Sequence, residues 1–137
     1  MKKIIFILLM STLYSTIISA QINTPPENLE EQAQSQECEN LIIGTWVGQG
    51  NSINYRDVYH SNRTMTDYTE GEVTKTYYWN ISTHLTQSGI TISKLLMQNT
   101  QNTEDEWTYE ITALNDDKMV LLYNNGLSFN ENIFIKQ

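Results

Sequence analysis

Between Leu41 and Gln137, short runs rich in Ile, Val, Tyr, Trp and Thr alternate with clusters of Asn, Gly, Asp and Ser. β-Branched and aromatic residues suit a pleated, half-buried surface, and the polar clusters supply turns, so the segment reads as strands and turns. Eight runs are predicted strands: 43–49, 53–60, 64–70, 75–84, 90–98, 106–114, 118–124 and 131–137. The turns between them read "GNS", "SNRT", "EGE", "TQSG", "TQNTED", "NDD" and "NNG". Connections this short join neighbouring antiparallel strands as hairpins. No intervening segment has the length of a crossover helix, which argues against a parallel α/β sheet. No internal repeat is visible.

Alternation within the runs assigns their faces. In "KTYYWNIS", Tyr77, Trp79 and Ile81 share one face and Tyr78, Asn80 and Ser82 the other. In "EWTYEITAL", Trp107, Tyr109 and Ile111 oppose Thr108, Glu110 and Thr112. Ile90 and Ile92 oppose Thr91 and Ser93, whereas Met119, Leu121 and Tyr123 alternate with apolar Val120 and Leu122. One apolar and one wetted face describe an antiparallel sheet covering a core. Closing eight meandering strands into a barrel also removes exposed edges. The expected fold is therefore all-β, an antiparallel up-and-down eight-stranded barrel over residues 41–137, with an eight-stranded sandwich as the alternative that alternation leaves open.

The first forty residues have a different character. Lys2 and Lys3 precede the apolar run "IIFILLM", and "IISAQ" offers Ala20 as a small residue at a cleavage position. This is the layout of a signal peptide over residues 1–20, cleaved near Ala20, and it predicts a secreted or periplasmic destination. The run is short for a bilayer span and broken by Ser and Thr, so no stable membrane insertion is expected. Residues 21–40 form a polar leader. Pro25 and Pro26 open it, and "ENLEEQAQ" contains good helix formers, so a short helix and a disordered tether both fit.

Length and charge narrow the partners. The chain has 137 residues, the size of one domain, and a formal net charge of −8, which loss of Lys2 and Lys3 makes more negative. Such a surface repels nucleic acid and anionic membranes. Cys38 is the single cysteine, so no internal disulfide forms and packing must hold the fold. The preceding "QSQE" lacks the apolar and small residues of a lipid-attachment signal, and a structural or idle thiol is the expected role.

"LIIGTWVGQG" (residues 41–50) places Gly44-Thr45-Trp46 at the start of the first predicted strand. Glycine there lets the backbone pass close under neighbouring side chains, and a large ring two residues on can plug one end of a barrel. The motif resembles the Gly-x-Trp signature of the lipocalins and the wider calycin barrels. "TYYWNISTHLTQSGITIS" and "EWTYEITALNDDKMVLLY" are similar to segments of short bacterial lipocalin-like domains, so the resemblance covers roughly residues 41–137. It implies a calycin-type barrel and, in lipocalins proper, a basic residue of the last strand packed across the Trp, for which Lys136 in "NIFIKQ" is the stand-in. The chain departs from that family in having no helix after the strands and no disulfides. "GTWVGQGNS" also resembles the first strand of avidin-like barrels, but Gly48 stands where those present a side-chain amide, and Trp79 and Trp107 do not match their later tryptophans.

Catalytic signatures are missing, so the chain is not expected to be an enzyme. His60 and His84 fall short of a zinc ligand set, Ser61 has no nucleophile-elbow context, and no metal or cofactor is implied. "TEDE" (103–106) and Asp116-Asp117 lack the ligand spacing of a calcium loop and read as solvated turns. Asn62-Arg63-Thr64 and Asn80-Ile81-Ser82 match the glycosylation pattern, which carries little weight under the bacterial resemblance.

The barrel interior is the remaining candidate. With the aromatic face inward, Trp46, Tyr55, Tyr77, Trp79, Trp107, Tyr109 and Tyr123 supply rings and phenol hydroxyls suited to a small hydrophobic ligand, with Trp46 closing the bottom. The same rings could instead fill the barrel as its core, since small eight-stranded barrels do either. Two functions follow: carriage of a small hydrophobic molecule, or a solid protein-interaction module whose acidic loops dock a basic partner of unknown identity.

Overall fold

In the computed structural model, which describes residues 29–137, one helix precedes eight strands. The expected signal peptide and its cleavage site lie outside the described residues. Helix α1 spans Leu29–Ile42. The strands are β1 Gly44–Gly48, β2 Tyr55–Tyr59, β3 Thr64–Thr69, β4 Glu72–Leu85, β5 Thr91–Asn99, β6 Glu106–Leu114, β7 Lys118–Asn124 and β8 Phe129–Lys136. Each pairs antiparallel with the next, and β8 returns to β1 through Trp46↔Lys136, Val47↔Ile135 and Gly48↔Phe134, so the sheet closes as an up-and-down barrel. All eight expected strands form, and the sandwich alternative is excluded by this closure.

Turn chemistry sets the hairpins. Glu70 and Gly71 both have positive φ (53° and 87°) and make the two-residue connection from β3 to β4, the geometry whose twist matches that of the strands. After β1 a single 3₁₀ turn, Gly50–Ser52, folds back so closely that a Cβ on Gly48 would lie 1.8 Å from the Ser52 carbonyl oxygen. Only glycine fits there.

Register sorts the side chains. Trp46, Tyr59, Met65, Tyr77, Trp79, Ile81, Leu95, Met97, Met119, Leu121 and Phe134 point inward and are buried. On β5 the inward set is Ser93, Leu95 and Met97, so Ile90 is left 62% exposed while Ser93 is buried. Ser93 tolerates this because its hydroxyl is 3.0 Å from that of Thr83.

The helix form of the polar leader is the one observed, and it lies against the barrel, mainly on β4. Its attachment is largely polar, as its composition dictates. The Leu85 amide donates to the Glu31 carboxylate at 2.6 Å, Ser35 Oγ donates to the Ile81 carbonyl at 3.1 Å, and Glu39 pairs with Arg63 at 2.8 Å. Only its C-terminal end reaches the core, through Cys38 and the fully buried Ile42.

The lower barrel is solid. Trp46 and Ile42 are 0% exposed, and Tyr59, Met65, Leu95 and Met119 complete a dense layer above the helix end. The Trp46 indole donates to the Ile42 carbonyl at 2.7 Å, and Lys136 Nζ donates to the Leu41 carbonyl at 2.8 Å while lying 5.0 Å from the Trp46 ring centre. These two side chains satisfy carbonyls that the helix end would otherwise leave open. Gly44, with φ +138°, makes room: a Cβ there would sit 2.7 Å from Lys136 Cε.

A half-hollow barrel with a carboxylate wall

The upper barrel is not filled. A cavity of about 620 Å³ runs from Tyr59, Met65 and Met97 up to Asn51 and Tyr55 at the end carrying the β1–β2, β3–β4, β5–β6 and β7–β8 loops. This lies within the size range of small-molecule pockets. The choice between hollow and filled therefore resolves by level, with a packed floor and an open upper half.

The sequence-derived candidates divide along the same line. Tyr55, Tyr77, Trp107 and Tyr109 line the cavity, Tyr55 at its rim and 45% exposed. Tyr123 stands behind them, 5.3 Å from Trp107 and 5.7 Å from Tyr109 by ring centres. Trp107 and Tyr109 are themselves nearly parallel, at 6.3 Å and 14°. Trp46 and Trp79 belong to the floor and do not line the space. Trp79 is 3% exposed, packs edge-on against Tyr59 at 6.0 Å and donates to the Thr64 carbonyl at 3.0 Å.

At the rim, Asp105 gathers several donors. Its Oδ2 accepts from Lys75 Nζ at 2.8 Å and Asn99 Nδ2 at 2.9 Å, and its Oδ1 accepts from the Trp107 indole at 2.7 Å. The bonds from Lys75, Asn99 and Trp107 hold its carboxyl at about 2, well below the usual range. They also fix the tilt of the Trp107 ring over the cavity.

The opposite wall carries two residues that sequence reasoning missed. Asp57 on β2 and Asp67 on β3 are direct cross-strand partners at inward positions, and both line the cavity. Cross-strand neighbours have Cβ atoms about 5 Å apart. Asp57 is 9% exposed and has no hydrogen-bond partner among the described residues. Asp67 accepts from Thr74 Oγ1 at 2.8 Å on Oδ2, while its Oδ1 is buried and unpaired. Burial first, and then the Asp67 charge, raise the Asp57 carboxyl from 3.8 to about 7. Burial and these acids also raise the phenols of Tyr59 and Tyr109 above their ordinary value. The available signal was alternation: Asp57 lies two residues from both Tyr55 and Tyr59, and Asp67 two residues from Met65.

The remaining candidate groups stay apart. His60 and His84 are exposed, and the described residues contain no group of three or more His, Cys, Asp or Glu side chains placed to hold a metal. The Cys38 thiol lies 3.8 Å from Ser93 Oγ, and burial pushes it up, away from the reactive thiolate. Among the described residues, no helix is long and apolar enough to cross a membrane.

Fold and cavity together define an eight-stranded antiparallel up-and-down barrel, consistent with a calycin-like fold. No protein-family model matches the chain, and comparisons with curated proteins and with solved structures find no significant match.

Proposed function

We propose that this protein is a lipocalin-like carrier, secreted or periplasmic, that takes up a small, largely hydrophobic molecule in the upper barrel without covalent chemistry. The observation that carries this reading is the cavity of about 620 Å³ walled by Trp107, Tyr109 and Tyr77 and open at one end. Aromatic rings with a few hydroxyls are the surface such a ligand needs. The solid interaction module has less support, because the upper barrel is hollow and Asp105 of the acidic "TEDE" loop is already bonded within the chain.

The test is a titration with N-phenyl-1-naphthylamine, a fluorescent probe whose arylamine is uncharged at neutral pH, beside a native mass spectrum of the secreted protein. Saturable one-to-one enhancement, or extra native mass lost on denaturation, is the expected result. A bare native mass together with no probe binding would overturn the carrier reading.

A further inference from the structure

When both are ionised, Asp57 and Asp67 place more negative charge in the interior than the described residues neutralise. Of the four carboxylate oxygens on Asp57 and Asp67, only Asp67 Oδ2 accepts a hydrogen bond from a described residue. Leaving buried carboxylates unpaired is expensive, and packing alone gives no reason to place two of them face to face.

The cations of the interior among the described residues lie elsewhere. Lys75 is held by Asp105 at 2.8 Å, and Lys136 is on the floor, bonded to the Leu41 carbonyl. Arg56 adjoins Asp57 in sequence but has the opposite strand parity, and its guanidinium lies 4.3 Å from the Tyr68 ring centre. Among the described residues no cation forms an ion pair with either acid, so when both are ionised a bound cation would supply the missing countercharge.

The rest of the cavity limits what that countercharge can be. Two carboxylates with no third His, Cys, Asp or Glu beside them among the described residues make a poor metal site. The wall of Trp107, Tyr109 and Tyr77 is apolar, and its ring faces attract organic cations. Beside the acids, Ser52 Oγ donates to Asn132 Oδ1 at 3.1 Å, which leaves the Asn132 amide as a further polar contact.

We propose that the cavity selects a small organic cation, an amine whose protonated nitrogen sits between Asp57 and Asp67 and whose apolar or aromatic body lies against Trp107, Tyr109 and Tyr77. This inference rests on the carrier reading and names the chemical class of its ligand. The acids supply acceptors for the N–H groups, and the rings exclude water and favour the charge.

The experiment uses a matched pair, 2-(2-naphthyl)ethylamine and 2-(2-naphthyl)ethanol, each displacing N-phenyl-1-naphthylamine from the whole protein at pH 8. The amine is expected to compete about 10- to 100-fold better than the alcohol, the worth of one charge-assisted hydrogen bond. In the D57N/D67N variant that preference should vanish while probe binding persists, and the single D57N variant should lose most of it. Equal competition by the two compounds, or failure of both to displace a bound probe, overturns the amine assignment and leaves the carrier reading standing. A preference that survives in both variants overturns it too, since attraction to the acidic surface would then explain it. Calorimetric binding of calcium chloride that is lost in D57N/D67N and blocks the amine would reassign the pair to a metal. Failure of the probe itself to bind strikes the carrier reading, and the amine assignment falls with it.

Discussion

Lys136 lies across Trp46, its ammonium 5.0 Å from the ring centre, and both side chains end on the last carbonyls of the helix, those of Leu41 and Ile42. The first and last strands, which close the barrel, thus also hold the C-terminal end of the helix, whose body lies on β4. Replacing Lys136 with Met keeps the stem over the ring but leaves the Leu41 carbonyl without its donor. A loss of about 1–3 kcal/mol is expected. Trp46→Phe removes the bond to Ile42 and should cost a similar amount, and because the two share the helix end the double variant should fall short of the sum. Urea denaturation of the four chains measures this. Strict additivity would mean that the two contacts do not act together.

Gly48 and Gly50 lie two residues apart but are glycine for different reasons. A Cβ at Gly48 meets the Ser52 carbonyl oxygen at 1.8 Å, so Gly48→Ala must push the 3₁₀ turn away, at about 1–3 kcal/mol. Gly50 has open space around it and only a positive φ of 60°. Gly50→Asn should therefore be close to neutral, because Asn tolerates the left-handed region. Thermal melts of the two variants should separate clearly, with Gly48→Ala the lower.

The barrel was legible because its signal is redundant. Eight runs of strand-forming residues, period-two faces and short polar turns all point to one topology, and each is a local property. The place of Gly44 and Trp46 at the start of β1 was legible from the local sequence, whereas Lys136 was expected across Trp46 only through the resemblance to lipocalins. The helix was harder to read. Its few apolar positions cluster at Cys38 and Ile42, and its attachment through Glu31, Ser35 and Glu39 depends on where β4 passes, which local sequence does not state. Alternation gave the aromatic wall of the site but could not say which rings lie above the floor and which within it, because Trp79 and Tyr77 share one face of one strand. Asp57 and Asp67 were overlooked because an acid within a strand ordinarily marks the wetted face. Only cross-strand register shows that these two face each other inside the barrel.

The buried acid should also make stability depend on pH. In the folded chain Asp57 keeps its proton up to about pH 7, facing Asp67 on β3 with the Tyr59 and Tyr109 phenols nearby, whereas unfolded it releases that proton near 3.8. Between those values the folded state holds the extra proton, so stability falls as pH rises. The penalty levels off above pH 7 at about 4 kcal/mol as an upper figure. Asp57→Asn removes the titration, so the variant should melt several degrees above the parent at pH 8 and close to it at pH 4. Parallel melting curves for the two chains across that range would show that Asp57 carries no such penalty. A carboxyl that weakens the free protein, yet lines the upper-barrel cavity, fits a group kept for binding.

Trp79 and Trp107 test the division between floor and wall. Trp79 is 3% exposed, bonded to the Thr64 carbonyl and packed edge-on against Tyr59, so truncation opens a void in the floor. Trp79→Ala should lose about 3–5 kcal/mol, a large share of the stability of an ordinary domain. Trp107 borders a space that is already open, and its indole is anchored at the rim by Asp105 at 2.7 Å. Trp107→Ala should remain folded with a smaller loss of stability, and should weaken N-phenyl-1-naphthylamine binding about tenfold through lost apolar contact and ring stacking. The milder Trp79→Phe variant, which keeps the floor mostly filled, should bind the probe almost as the parent does. Urea midpoints and probe titrations on the three variants separate the two roles. If Trp107→Ala instead unfolds the protein while Trp79→Phe loses the probe, the ligand space lies lower in the barrel than the cavity indicates.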